Sequence, residues 1–219
     1  IMISVSAIVF LVLVVHVVKS ISDSGCRYCM LLNMLFIAVI ACMSADSVLL
    51  LLMGWELITI TTFLLGRGKG NEHERWLFFL IAHVGGMILI CTYVYMAFIT
   101  GTSILSQWTG ISSIVGTATA SILIAAIVLG FGAKLGLVPF HVWMPGFYST
   151  APTHTAALLS TVCSNVAILV MFKTIFGCIG ITDGMMWLAI GLMALASVTA
   201  LWGSLESLIQ SEPKRTQMN

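Results

Sequence analysis

Seven apolar stretches decide what this chain can become. They lie near residues 2–18, 29–45, 47–66, 76–99, 115–138, 155–177 and 186–209. Each approaches the roughly 20 residues that an α-helix needs to cross the hydrocarbon of a bilayer. The runs are apolar on every face, and a backbone in lipid must satisfy its own hydrogen bonds. Helices, not strands, are therefore required. A mean hydropathy of +1.12 leaves too little polar surface to clothe a soluble domain. The expected fold class is an all-α polytopic membrane protein of about seven transmembrane helices. Residues 1–215 form one transmembrane domain, and 216–219 a short polar C-terminal tail.

The loops support this count. Alternating the sides of the membrane puts Lys19, Arg27, Arg67, Lys69, Arg75, Lys214 and Arg215 on one side, and no Lys or Arg on the other. The positive-inside rule then places the N-terminus outside and the C-terminus inside. The segment near 101–114 is too polar to span. Ile104, Leu105, Trp108 and Ile111 recur at helical spacing, which predicts a short interfacial helix. The first apolar run has no basic leader and no small-residue cleavage site, so it reads as a membrane helix.

Only 8% of the residues are charged, and two of these charges fall inside long apolar runs. A charge at mid-bilayer costs roughly 2.5–3.5 kcal/mol on insertion scales, so such residues face a protein interior and pair or carry ions. Glu56 follows Gly54 and Trp55 in mid-span. A buried carboxylate exchanges its proton according to whether a cation sits nearby. The alternative is a structural Glu paired to a neighbouring helix. Lys134 lies among Gly130, Gly132, Gly136 and Pro139, residues that break a membrane helix and free backbone carbonyls. Broken helices at mid-depth recur where transporters bind ions. The alternative is snorkelling to the inner face, because Lys134 is near that end of its span.

Other titratable groups are weaker candidates. His141 and His154 flank a second break containing Pro145 and Pro152, and relay protons or donate structural hydrogen bonds. His83, beside Gly85 and Gly86, is a relay or a packing residue in a close helix contact. Lys173 snorkels outward or forms an exit site. Glu206 reads as an interfacial carboxylate. Cys26 and Cys29 form a CxxC in a short loop, without the second pair that a zinc or iron–sulfur site needs. No phosphate-binding loop, dinucleotide fingerprint, nucleophile motif or basic nucleic-acid stripe is present. Metal ligands, cofactor contacts and catalytic residues are not expected in this chain, and no nucleic-acid partner is.

The stretch GFGAKLGLVPFHVWMPGFYSTAPTHTAALLS resembles the broken-helix region of the antiporter-like proton-translocating subunits. These occur in respiratory complex I, membrane-bound hydrogenases and multi-subunit sodium/proton antiporters. MGWELITITTFLL resembles the family's Trp-Glu segment. LFFLIAHVGGMIL and GTSILSQW resemble the hydrogenase-type branch most closely. SLESLIQSEPKR resembles an inner-face turn, with Glu212 in the place of an Asp.

The resemblance implies part of an inverted-repeat fold, with a proton path through Glu56, paired with Lys134, and through His83, His141, His154 and Lys173. A further family lysine falls at Asn165. The resemblance also implies a non-catalytic, ion-translocating subunit of a redox-driven complex in an energy-transducing membrane, either the mitochondrial inner membrane or the bacterial cytoplasmic membrane. NADH, FMN, iron–sulfur clusters and quinone are then expected in partner subunits. Partners are lipid, other membrane subunits and a polypeptide supplying the missing second half of the fold. A complex I-type NADH:quinone oxidoreductase is the favoured setting, being the commonest for such subunits. The alternatives are a membrane-bound hydrogenase or a sodium/proton antiporter, and a non-conducting structural remnant.

Overall fold

The computed structural model describes residues 25–68 and 72–209. The elements are α1 (Gly25–Ser44), α2 (Val48–Leu65), α3 (Glu72–Thr100), α4 (Ile111–Leu135), the short α5 (Met144–Thr150), α6 (Thr153–Ile179) and α7 (Met186–Ile209). Within α6, Leu159–Cys163 and Lys173–Ile179 are π-helical. Six segments among the described residues are long and apolar enough to cross a membrane. The expected span near 2–18, the flanking Lys19 and the Glu212 turn lie outside the described residues, as does the C-terminal tail.

Successive helices pack antiparallel, as short connections between apolar rods require. Small residues set the closest approaches. A Cβ on Gly54 would lie 2.8 Å from Cys42 Sγ on α1, and one on Gly85 would lie 2.6 Å from both Ala133 Cβ and the Gly130 carbonyl of α4. Lipid supplies no hydrophobic drive between helices, so such close packing is what joins them. The core is a file of aromatics, including Trp55, Phe78, Tyr93, Phe131, Trp143 and Phe147, each almost fully buried. Arg27, Arg67 and Arg75 gather at one end of the bundle, following the antiparallel order of α1, α2 and α3. Arg75 donates to the Phe63 carbonyl (3.2 Å) and lies over the Phe63 ring.

The 101–110 segment corrects an expectation. It holds a single 3-10 turn, Leu105–Gln107, in place of an interfacial helix. Leu105, Trp108 and Ile111 are buried in the core, so their helical spacing reflects a plug over the bundle's end and not a face laid on lipid. The plug is latched to the α1–α2 turn. Leu105 N–H donates to the Asp46 carbonyl (2.6 Å), and Val48 N–H to the Ser103 carbonyl (2.9 Å). The Asp46 carboxylate accepts from the Ser106 N–H (2.8 Å) and hydroxyl (2.7 Å).

Those two bonds hold the Asp46 carboxyl below its ordinary range. A group whose folded pKa is depressed stabilises above its unfolded value and loses that contribution as pH falls through the folded one. The latch should therefore be fully formed at neutral pH and loosen as pH drops below about 4. Hydrogen exchange at Ser106, corrected for intrinsic rate, reports it. Asp46→Asn should show the loosened state at neutral pH.

The CxxC motif also differs from expectation. Because α1 begins at Gly25, Cys26 and Cys29 stand in its first turns and not in a loop.

Candidate functional site

The helix carrying Lys134 is broken where the glycines and proline predicted. Helix α4 ends at Leu135, and Gly136 caps it in the left-handed region (φ 71°), a conformation that favours glycine. A 3-10 turn, Phe140–Trp143, leads into α5, so helical structure resumes after the break. Lys134 is in the last turn before the break, and the chain continues past it into the 140–150 segment. Trp143 Nε1 donates to the Ala133 carbonyl (3.0 Å), filling one of the acceptors that the break leaves open. Phe147 on α5 packs at Gly66, the far end of α2. Snorkelling is thereby excluded: Lys134 is 5% exposed and points across the bundle to α2.

Lys134 Nζ donates to Thr59 Oγ1 at 2.9 Å and stands 4.3 Å from the centre of the Trp55 ring. Phe131, one turn before Lys134, meets the same indole edge-to-face at 4.8 Å. The ammonium thus has a hydroxyl acceptor and an aromatic face, the latter worth about 2 kcal/mol when desolvated.

Glu56 projects from the same turn of α2 toward α3. Its Oε2 lies 3.4 Å from His83 Nδ1, a contact that forms no hydrogen bond. The Glu56 and His83 side chains are 24% and 42% exposed at the edge of the bundle. The Phe79 ring stacks on His83 at 4.6 Å. A side chain at Gly86 would collide with Glu56 Oε1, so this glycine makes the space for the carboxylate.

The expected Glu56–Lys134 contact is therefore not a direct ion pair. The two charges sit on different helices and take different partners, Glu56 of α2 facing His83 of α3 and Lys134 of α4 donating to Thr59 of α2. Thr59, the acceptor for Lys134, lies three residues from Glu56 on α2.

The remaining candidates sit elsewhere. His141 meets Trp202 of α7 edge-on at 5.6 Å, and its buried Nδ1 makes no hydrogen bond. His154 meets Tyr28 of α1 edge-on at 4.8 Å. Lys173 donates to the Ala45 carbonyl (2.9 Å), at the latched end of the bundle. Asn165 is half-buried on α6. Sequence reasoning passed over Trp55 and Thr59. The signal for Thr59 was present as helical spacing, three residues from Glu56, but apolar helices carry many such hydroxyls.

A discontinuous helix with a buried lysine thus packs against a helix with a mid-span carboxylate. The family described as NADH:quinone oxidoreductase/Mrp antiporter, transmembrane, matches residues 45–217, and the chain belongs to it. Hydrogenase-4 component B of Escherichia coli K12 is 27% identical over 187 residues, covering 84% of this chain and 28% of that protein. NADH-quinone oxidoreductase subunit N of Heliobacterium modesticaldum is 27% identical over 176 residues, covering 78% and 37%. A chain of respiratory complex I from Thermus thermophilus shares the fold, with a TM-score of 0.78 at 18% identity. That match covers 98% of this chain and 47% of the other. The chain thus spans less than half the length of these relatives. It is a multi-pass membrane protein with the antiporter-like fold.

Proposed function

We propose that this chain moves protons as an antiporter-like subunit of a complex I-type NADH:quinone oxidoreductase. Glu56, with His83 beside it, exchanges protons near the bundle's edge, and Lys134 is the central carrier. The observation that supports this best is Lys134 itself. It is a buried lysine at the break of a membrane helix, held by a neutral hydroxyl and an indole, with Glu56 one step away. A purely structural lysine would be expected to hold a carboxylate directly or to reach the membrane surface. This one does neither, so its charge is free to respond when that of Glu56 changes.

In this reading the redox groups (NADH, FMN, iron–sulfur clusters and quinone) belong to partner subunits, whose chemistry drives the charge changes. His141 and His154 continue the path on the side of α5, and Lys173 serves toward the latched end. The remaining helices of the fold are part of the same proposal, supplied by further polypeptide that covers α7. That helix buries none of its membrane window in the described structure.

The test is redox-driven proton uptake by vesicles carrying the assembled complex. Glu56→Gln keeps the shape and removes the titration, and should cut uptake by about tenfold or more while assembly persists. Uptake at the wild-type rate would favour the non-conducting, scaffold-like reading. Copurifying hydrogenase or antiporter subunits would move the proposal to those complexes.

A further inference from the structure

We propose that Thr59 is the positioning residue of this site, a hydroxyl that keeps Lys134 on the face of Trp55 and apart from Glu56 through both of its protonation states. The proposal rests on the ion-path reading of Lys134 but stands on its own geometry. Thr59 is 0% exposed. Its Oγ1 donates to the Trp55 carbonyl one turn back (3.2 Å) and accepts from Lys134 Nζ (2.9 Å).

The first bond is ordinary for threonine in an apolar helix, where back-bonding satisfies the hydroxyl proton. The second is not local, since it joins residues 75 apart in sequence across two helices. Together they fix the side chain. The β-branched carbon limits χ1, and the proton engaged by Trp55 turns a lone pair toward the ammonium.

The choice of group matters. An ionised carboxylate here would accept only, and would bind the charged lysine too strongly to release it. An apolar residue would leave the ammonium without an acceptor in a dry core. A hydroxyl serves both states. It accepts from the ammonium, and after proton loss its own proton can swing from the Trp55 carbonyl to the Nζ lone pair. Trp55 complements it, because the ring face attracts only the cation. Lys134 therefore keeps its place while its charge changes. Glu56, on the same helical turn, influences that charge through space without capturing the amine.

Thr59→Val is nearly isosteric and removes only the hydroxyl's bonds. In vesicles carrying the assembled complex it should lower redox-driven proton uptake by about tenfold, the equivalent of one charge-assisted hydrogen bond. Thr59→Ser should restore most of the rate, and Thr59→Val should add nothing to the defect of Lys134→Ala. Wild-type uptake in Thr59→Val, with Lys134→Ala impaired, overturns the Thr59 assignment and leaves the ion-path reading intact. Failure of serine to rescue also overturns it, since the hydroxyl would then not be the active feature.

If Lys134→Ala itself pumps at the wild-type rate, the ion-path reading fails, and thermal unfolding of the purified complex decides on Thr59. Coupling is supported if the double variant has the same Tm as Lys134→Ala alone, and overturned if the two losses of Tm add.

Discussion

Gly85→Val should leave no assembled protein in the membrane. The Cβ that any larger residue brings would stand 2.6 Å from the Gly130 carbonyl, a backbone atom of the facing helix, and 2.6 Å from Ala133 Cβ. Neither neighbour is the end of a flexible side chain, so α3 and α4 must separate. Overpacking a tight core costs roughly 1–3 kcal/mol where side chains can shift, and more where they cannot. The separation would also pull Lys134, the residue after Ala133, away from Thr59. Stability of only about 5–15 kcal/mol cannot absorb many such losses. Gly191→Ala is the matched control. Nothing lies within 4 Å of its Cβ position on α7, and alanine is the better helix former by about 1 kcal/mol. Quantifying each variant in purified membranes checks the contrast. Normal amounts of the Gly85 variant would mean that α3 and α4 do not pack as described.

Lys134→Ala should give the opposite pattern: normal assembly and proton uptake at background. A buried ion pair cut in half is strongly destabilising, because the surviving charge is stranded. Here Lys134 has no direct carboxylate partner to strand. Glu56 stays beside His83, and the Thr59 proton keeps the Trp55 carbonyl. The cavity left beside Trp55 and Phe131 costs stability, but removal of a desolvated ammonium offsets it. The expectation is thus a folded complex whose central carrier is missing. Redox activity, proton uptake and subunit content measured on one preparation separate the cases. Loss of the subunit would show that Lys134 is structural, and undiminished uptake would remove it from the path.

Legibility in the sequence varied with the range of the interaction. The spans α1 to α4 and α6 to α7 were readable, because a window of apolar residues senses only the solvent around a helix. The break after Leu135 was readable too, since Gly136 and Pro139 act on their own backbone. The course of the chain beyond the break was not. Residues 140–150 read only as part of a second helix break until Phe147 and Trp143 are seen packed among α2, α3 and α4. The 101–110 plug misled for the same reason. Its spacing is helical, but burial of Trp108 and the Asp46 latch decide its form.

The candidate site divides along the same line. The composition and order of residues determined that this is a helical membrane protein, and that Glu56 and Lys134 are charges no lipid-facing helix would keep. Desolvation is a property of a residue and its span, so sequence suffices to flag it. Which partner each charge takes is a property of distances between helices. Gly85 and Gly86 let α3 close on α4 and on Glu56, and that approach turns the carboxylate toward His83. The break at Gly136 sets Lys134 against α2 at the height of Thr59. Only the tertiary structure, by placing helices a few ångströms nearer or farther, decided that Lys134 would meet Thr59, one turn along α2 from Glu56, and not the carboxylate itself.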